Sequence, residues 1–271
     1  MNSKRPPICL SIAGLDPSGG AGIIADVRTF SAFGCFPTAV SSSLTFQNTT
    51  GVFGAAHQTA ETIRGQLEPV LRDYYISALK TGMLPTTDAI EETAIAINEF
   101  ELSNLVVDPV VRSTSGADLI DDAALRILVE KLFPLSILVT PNLSEAARIA
   151  RMTISTDADI EAAARLIQAM GAANVLIKGG HLFDDSQTTA DRKARDFLFV
   201  GPSLTILEAD FIETTATHGT GCTLSAAIAA NLALGKGLIE AVEISKGFVT
   251  EAIRTAPNIG HGASPINIEN Y

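Results

Sequence analysis

The 271 residues are 46% hydrophobic and 18% charged, enough apolar material for a sizeable core and a balance that excludes a disordered chain. Acidic residues number 30 against 19 basic ones, and the resulting net charge of −11, with no cluster of Lys and Arg, speaks against nucleic acid as a partner. No apolar run approaches the roughly 20 residues that a membrane span requires.

The opening MNSKRPPICLSIAGLDPSGG has two basic residues but runs into a Gly-rich loop instead of a signal-peptide core. Cys9, Cys35 and Cys222 show no metal-ligand spacing and fit a reducing compartment without disulfides. A cytoplasmic protein is the expectation. In chain order, apolar runs at 8–13, 38–45, 76–79, 105–107, 137–139 and 175–177 read as strands. Helical patterns lie between them at 22–33, 62–73, 87–100, 122–132 and 160–170. In the first of these, Ile23, Val27, Phe30 and Phe33 mark one face, and Gly34 ends it. This alternation predicts βαβ units, hence a mostly parallel sheet with helices on both faces.

After Gly180 the pattern changes. Residues 181–196 are polar and turn-rich, and 197–200 and 204–212 read as strands with no helix between them. They predict a short antiparallel excursion at one sheet edge. Helices at 221–234 and 238–255 follow, and 256–271 is expected to be irregular. With no internal repeat and no linker, residues 1–271 read as one α/β domain.

Open parallel sheets bind ligands at the carboxyl ends of their strands. Here those ends are polar or small: GLDPSGGAG, Gln47-Asn48, Lys80-Thr81-Gly82-Met83, Asp108-Pro109, Thr140-Pro141-Asn142 and Lys178-Gly179-Gly180. Together they predict one shared site. The strongest single motif is THGTGCT, residues 217–223, opening the penultimate helix. Gly219 and Gly221 let several N–H groups converge, and the helix N-terminus adds its positive dipole end, which suits an anion such as phosphate. The same position favours a thiolate at Cys222. On the motif alone, a plain helix-starting turn with a packed Cys222 remains an alternative. Neither GxxxxGK[ST] nor GxGxxG occurs. Asp26, one turn into the first helix, reads alone as a solvated carboxylate, and Lys178 as a phosphate partner or simply a strand end.

Taken in order, AGLDPSGGAGIIADVRTFSAFG, TFQNT, KTGML, DPVV with STSG, TPNLSEA, VLIKGGH and THGTGCTLSAAIAA resemble the hydroxymethylpyrimidine/phosphomethylpyrimidine kinases of thiamine biosynthesis, within the ribokinase-like superfamily. The resemblance implies a ribokinase-like fold in a homodimer. It also implies transfer of phosphate from ATP, with Mg²⁺, to 4-amino-5-hydroxymethyl-2-methylpyrimidine and then to its monophosphate. By the same resemblance, the Gln47 amide would recognise the pyrimidine edge. Gly14, Asp26 and Val110 would surround the ring, and Met83 would pack against it. Gly219, Thr220, Gly221 and Cys222 would form the anion hole. Asp108, Asn142 and Glu145 would orient Mg²⁺ through its waters, Lys178 would contact phosphate, and Lys246 would lie beside the nucleotide. Cys222 stands where most sugar kinases of the superfamily carry an Asp base, and a thiolate can serve in that role.

Two departures touch none of these roles: KTGML stands for the usual KIGML, and TFQNT for TAQNT. The tail and residues 181–196 receive no function. A pyridoxal kinase is the alternative within the fold, and Gln47 with the full HGTGC motif favours the pyrimidine. A sugar kinase lacks its Asp at position 222. A non-catalytic relative is disfavoured because Cys222, Lys178, Asn142 and Glu145 are all present.

Overall fold

The computed structural model describes residues 5–112, 116, 118–180 and 192–269. Its nine strands are β1 (Ile8–Leu15), β2 (Phe36–Asn48), β3 (Gly51–His57), β4 (Ile76–Thr81), β5 (Leu105–Val107), β6 (Ser136–Val139), β7 (Asn174–Lys178), β8 (Lys193–Val200) and β9 (Ser203–Asp210). They form one sheet in the order β3-β2-β1-β4-β5-β6-β7-β8-β9. The six central strands, β2 to β7 in that order, are parallel. β3 runs antiparallel to β2 at one edge, and at the other β8 runs antiparallel to β7 and β9 antiparallel to β8.

The helices are α1 (Gly22–Ala32), α2 (Ala60–Asp73), α3 (Thr87–Glu99), α4 (Asp122–Leu132), α5 (Leu143–Ala150), α6 (Asp157–Ala169), α7 (Thr220–Ala233) and α8 (Leu238–Arg254). Thr59, Thr86 and Asp121 cap the first N–H groups of α2, α3 and α4, and capping boxes start α5 and α6.

Alternation along the strands divides the core. Leu10, Ile12, Leu105 and Val107 face α2 to α6, whereas Cys9, Val106 and Leu138 face α1, α7 and α8. α7 is buried from Thr223 to Leu232, and its alanines allow it to lie close against β1, β4 and β5. Its N-terminus therefore sits at the carboxyl ends of those strands. β1 has β2 on one side and β4 on the other, so the chain order reverses there, and a crevice opens where loops leave in opposite directions.

The predicted strands and helices are present, with three corrections. β3 was not anticipated, because GVFGAAH carries two glycines and little alternation. α5, between the strand at 137–139 and the helix at 160–170, is a helix that the pattern does not predict. β8 begins at Lys193, inside the stretch expected to be turn-rich; residues 181–191 lie outside the described ones.

Candidate active site

A cavity of about 910 Å³ lies across the carboxyl ends of the parallel strands, within the size range typical of small-molecule sites. Its lining includes Gln47, half-buried on β2, together with Met83 and Val110. Gly14 completes this wall: a Cβ there would come 3.1 Å from Met83 Sδ, so the sulfur fills space that a side chain would take.

Another part of the lining is built on α7. Gly219 caps the helix at φ 84°, and a Cβ there would meet Gly20 O at 1.8 Å, so only glycine brings this turn so close to the loop after β1. Thr220, Gly221 and Cys222 occupy the first turn, where N–H groups lack intrahelical acceptors. A methyl on Gly221 would stand 3.1 Å from Lys178 Nζ, so the ammonium lies against this turn. Lys178 Nζ donates to Asp108 Oδ1 at 2.9 Å. Burial opposes its charge, but Asp108 and Glu145 outweigh burial and hold the ammonium above its ordinary range.

Asn142 and Glu145 form the capping box of α5. The Asn142 side chain accepts from Glu145 N–H at 2.9 Å, and Glu145 Oε2 accepts from Asn142 N–H at 2.8 Å. Glu145 Oε1 also accepts from Val111 N–H at 3.3 Å. Burial pushes its carboxyl up to about 7, with Asp108 adding to the rise and Lys178 resisting it. Lys246 on α8 reaches the cavity but is tethered, donating to Asp196 Oδ2 at 2.6 Å. The other Asp196 oxygen accepts from Gly179 N–H at 3.1 Å.

Two expectations need correction. Asp26 is not a solvated carboxylate, nor is it on the cavity wall. It is fully buried beneath it, accepting from Lys80 Nζ at 2.9 and 3.0 Å and from Ser11 Oγ at 2.6 Å. It acts on the site through Lys80, which does line the cavity. Cys222, for its part, is not held as a thiolate by its helix. Burial pushes the thiol up to about 11, reinforced by Asp108 and Asp26; Lys80 and the Gly22 N–H act in the opposite direction without overcoming it.

The sequence reading gave no role to Lys80, Asp16 or His218. Lys80 is a lysine at a strand end followed by Gly82, and a Cβ on Gly82 would stand 2.8 Å from its Nζ. Asp16 accepts from Ser18 and Ala21 and lies 2.7 Å from His218 Nε2. The legible signal was Asp16-Pro17-Ser18, an Asx-turn sequence. Of the STSG segment after DPVV, residues 113–115 lie outside the described ones. Among the described residues there is no cluster of three acidic, His or Cys side chains suited to hold a metal directly, and no helix long and apolar enough to cross a membrane.

The family model described as phosphomethylpyrimidine kinase matches residues 16–267. The chain is 42% identical over 258 residues to the hydroxymethylpyrimidine/phosphomethylpyrimidine kinase of Bacillus subtilis, covering 95% of this chain and 93% of that one. Among solved structures, the ADP complex of Bacillus subtilis pyridoxal kinase superimposes with a TM-score of 0.86 at 36% identity, covering 97% of each chain. The phosphomethylpyrimidine kinase of Clostridium difficile 630 gives 0.78 at 38% identity, covering 91% of this chain and 99% of that one.

Proposed function

Because the chain belongs to the phosphomethylpyrimidine kinase family, we propose that it transfers the γ-phosphoryl group of ATP to 4-amino-5-hydroxymethyl-2-methylpyrimidine and then to the resulting monophosphate, in thiamine biosynthesis. The observation that carries this reading is one cavity lined both by Gln47 and by the first turn of α7, which Lys178 backs.

In the first step the hydroxymethyl oxygen attacks the γ-phosphorus, the bond to the β-phosphate oxygen breaks, and ADP leaves. The Gln47 amide donates and accepts along the ring edge, while Gly14, Val110 and Met83 enclose the ring. The N–H groups of Gly219 to Cys222 receive the charge on the transferring group, and Lys178 adds a cation beside them. Cys222, as thiolate, takes the hydroxyl proton. This transfer has a loose transition state, so positioning and charge matter more than the strength of the base. Lys246 attends the nucleotide.

The carboxylates suit Mg²⁺ held through water. Both oxygens of Glu145 and one of Asp108 already accept protein hydrogen bonds, leaving little for direct ligation, and Mg²⁺ retains several waters readily. Asp108, Glu145 and Asn142 would hold those waters, and the ion would neutralise phosphate charge.

Residues 1–271 are read as a single domain, supported by the one sheet that runs through all nine strands. A second copy is the expected partner. Phe46 and Phe53, on the edge pair β2–β3, are 57% and 71% exposed, an apolar edge that a homodimer would cover. The three free thiols support a cytoplasmic setting, and the net charge of −11 offers nothing to nucleic acid. Pyridoxal is the second reading, favoured by the likeness to Bacillus subtilis pyridoxal kinase. ADP release with pyrimidine and pyridoxal acceptors tests one against the other.

A further inference from the structure

Past Leu44, which pairs with Leu15 at the end of β1, the last four residues of β2 have only β3 as a strand neighbour. Gln47 lies in this overhang, so the sheet alone does not fix its distance from α7. The segment after α8 supplies a link.

At one end of that segment, Thr49 Oγ1 accepts from the N–H groups of His261 and Gly262 at 3.2 and 3.3 Å, and the Thr49 carbonyl accepts from Ala263 at 2.9 Å. The seat is tight. A Cβ on Gly262 would lie 2.0 Å from Thr49 O, and Gly260, at φ 83°, would bring one within 2.4 Å of Thr49 Oγ1. At the other end, His218 N–H donates to Ser264 O at 3.2 Å, and His218 pairs with Pro265 in a β-bridge. His218 is the residue before Gly219. Gly262 and Ala263 themselves line the cavity.

We propose that residues 260–265 are a positioning strap that fixes the Gln47 hairpin relative to the phosphoryl-handling turn of α7. This rests on the kinase reading above. The strap holds no reacting atom. It sets the separation between the ring and the transferring phosphoryl group, and a misplacement of about 1 Å in such a pair costs on the order of 100-fold in rate.

The test is Gly262→Ala, whose Cβ displaces the strap from Thr49, with Thr49→Val as the milder variant that keeps the Ala263 bond. Four quantities are measured: kcat for the pyrimidine, the Kd of the pyrimidine alone, the Kd of ADP alone, and Tm. The expected result is a kcat loss of about 100-fold for Gly262→Ala and about tenfold for Thr49→Val, with either Kd changed by less than about threefold. The proposal is overturned by a kcat within about twofold of the parent protein, or by both Kd values weakening in parallel with Tm, which marks a purely structural segment. A parent protein that does not phosphorylate the pyrimidine overturns the kinase reading instead.

Discussion

His218 Nε2 and Asp16 Oδ2 lie 2.7 Å apart, and through this contact the loop after β1 meets the turn that starts α7. Burial alone would raise the Asp16 carboxyl, but hydrogen bonds from His218 and Ser18 outweigh it and hold it down at about 2, against an ordinary 3.8. A carboxyl depressed in the folded state contributes stability above its unfolded pKa and loses it as pH falls through the folded one. The contribution amounts to about 2 kcal/mol and disappears between about pH 4 and pH 2. Urea unfolding over this range should show Asp16→Asn less stable than the parent protein near neutrality, with the gap closing by about that amount in acid. A gap independent of pH would contradict it.

As the proposed base, Cys222 should separate the two phosphorylations. The first acceptor is a neutral hydroxyl that must lose a proton. The second is a phosphate monoester whose oxygens are already ionised near neutrality, with a second pKa of about 6. Cys222→Ala should therefore cost about 100-fold or more in kcat on the hydroxymethylpyrimidine and far less on its monophosphate, with pyrimidine binding largely intact. Because burial raises the thiol to about 11, the base is protonated at neutral pH, and its active form grows as pH rises toward that value. First-step kcat/KM should climb with pH in the parent protein and flatten in Cys222→Ala. Equal losses on both acceptors would remove Cys222 from the role of base.

Much of this site was legible as residue types at strand ends, because a parallel sheet gathers its carboxyl ends at one edge whatever the intervening helices are. Asp26 shows what was not legible. Nothing local distinguishes a helix carboxylate in water from one buried under a cavity; the difference is made by Lys80, which is 54 residues away in the chain. The raised thiol of Cys222 has the same origin, since burial is aided by the charges of Asp108, just after β5, and Asp26, in α1, both distant from it in the chain. The capping box of α5 was readable in Asn142-Leu143-Ser144-Glu145. The tail looked irregular and is irregular. It is tied to Thr49 and His218 through its own backbone groups, which leave little trace in its side-chain pattern.

Thr81 puts a departure from the usual KIGML to a stability test. Its side chain is fully buried, and its hydroxyl has no hydrogen-bond partner. A buried hydroxyl without a partner costs on the order of 1–3 kcal/mol. Thr81→Val keeps the shape and removes the polar atom. It should raise the free energy of unfolding by about 1 kcal/mol or more, read from denaturant midpoints at unchanged m-value. A loss of stability would mean that the hydroxyl is satisfied after all.

The edge formed by β2 and β3 predicts the assembly. Phe53 is the most exposed of its phenylalanines, and a Cβ on Gly54 would stand 2.9 Å from the Phe46 ring, so Phe46 lies flat over the partner strand. Phe53→Asp should turn a dimer into a monomer in sedimentation velocity without altering Tm by more than a few degrees, since the side chain is 71% exposed in its own chain. A monomeric parent protein, or a variant that still dimerises, would place the interface elsewhere.

We assign the lining around Gln47 to the thiamine-precursor pyrimidine and the α7 turn to its phosphoryl group. The deciding measurement is ADP release with ATP and Mg²⁺, offering hydroxymethylpyrimidine, its monophosphate and pyridoxal side by side. Turnover on both pyrimidines should lie well above that on pyridoxal. Preference for pyridoxal would contradict the substrate assignment while leaving the chemistry in place, and no turnover on any of the three would contradict the kinase itself.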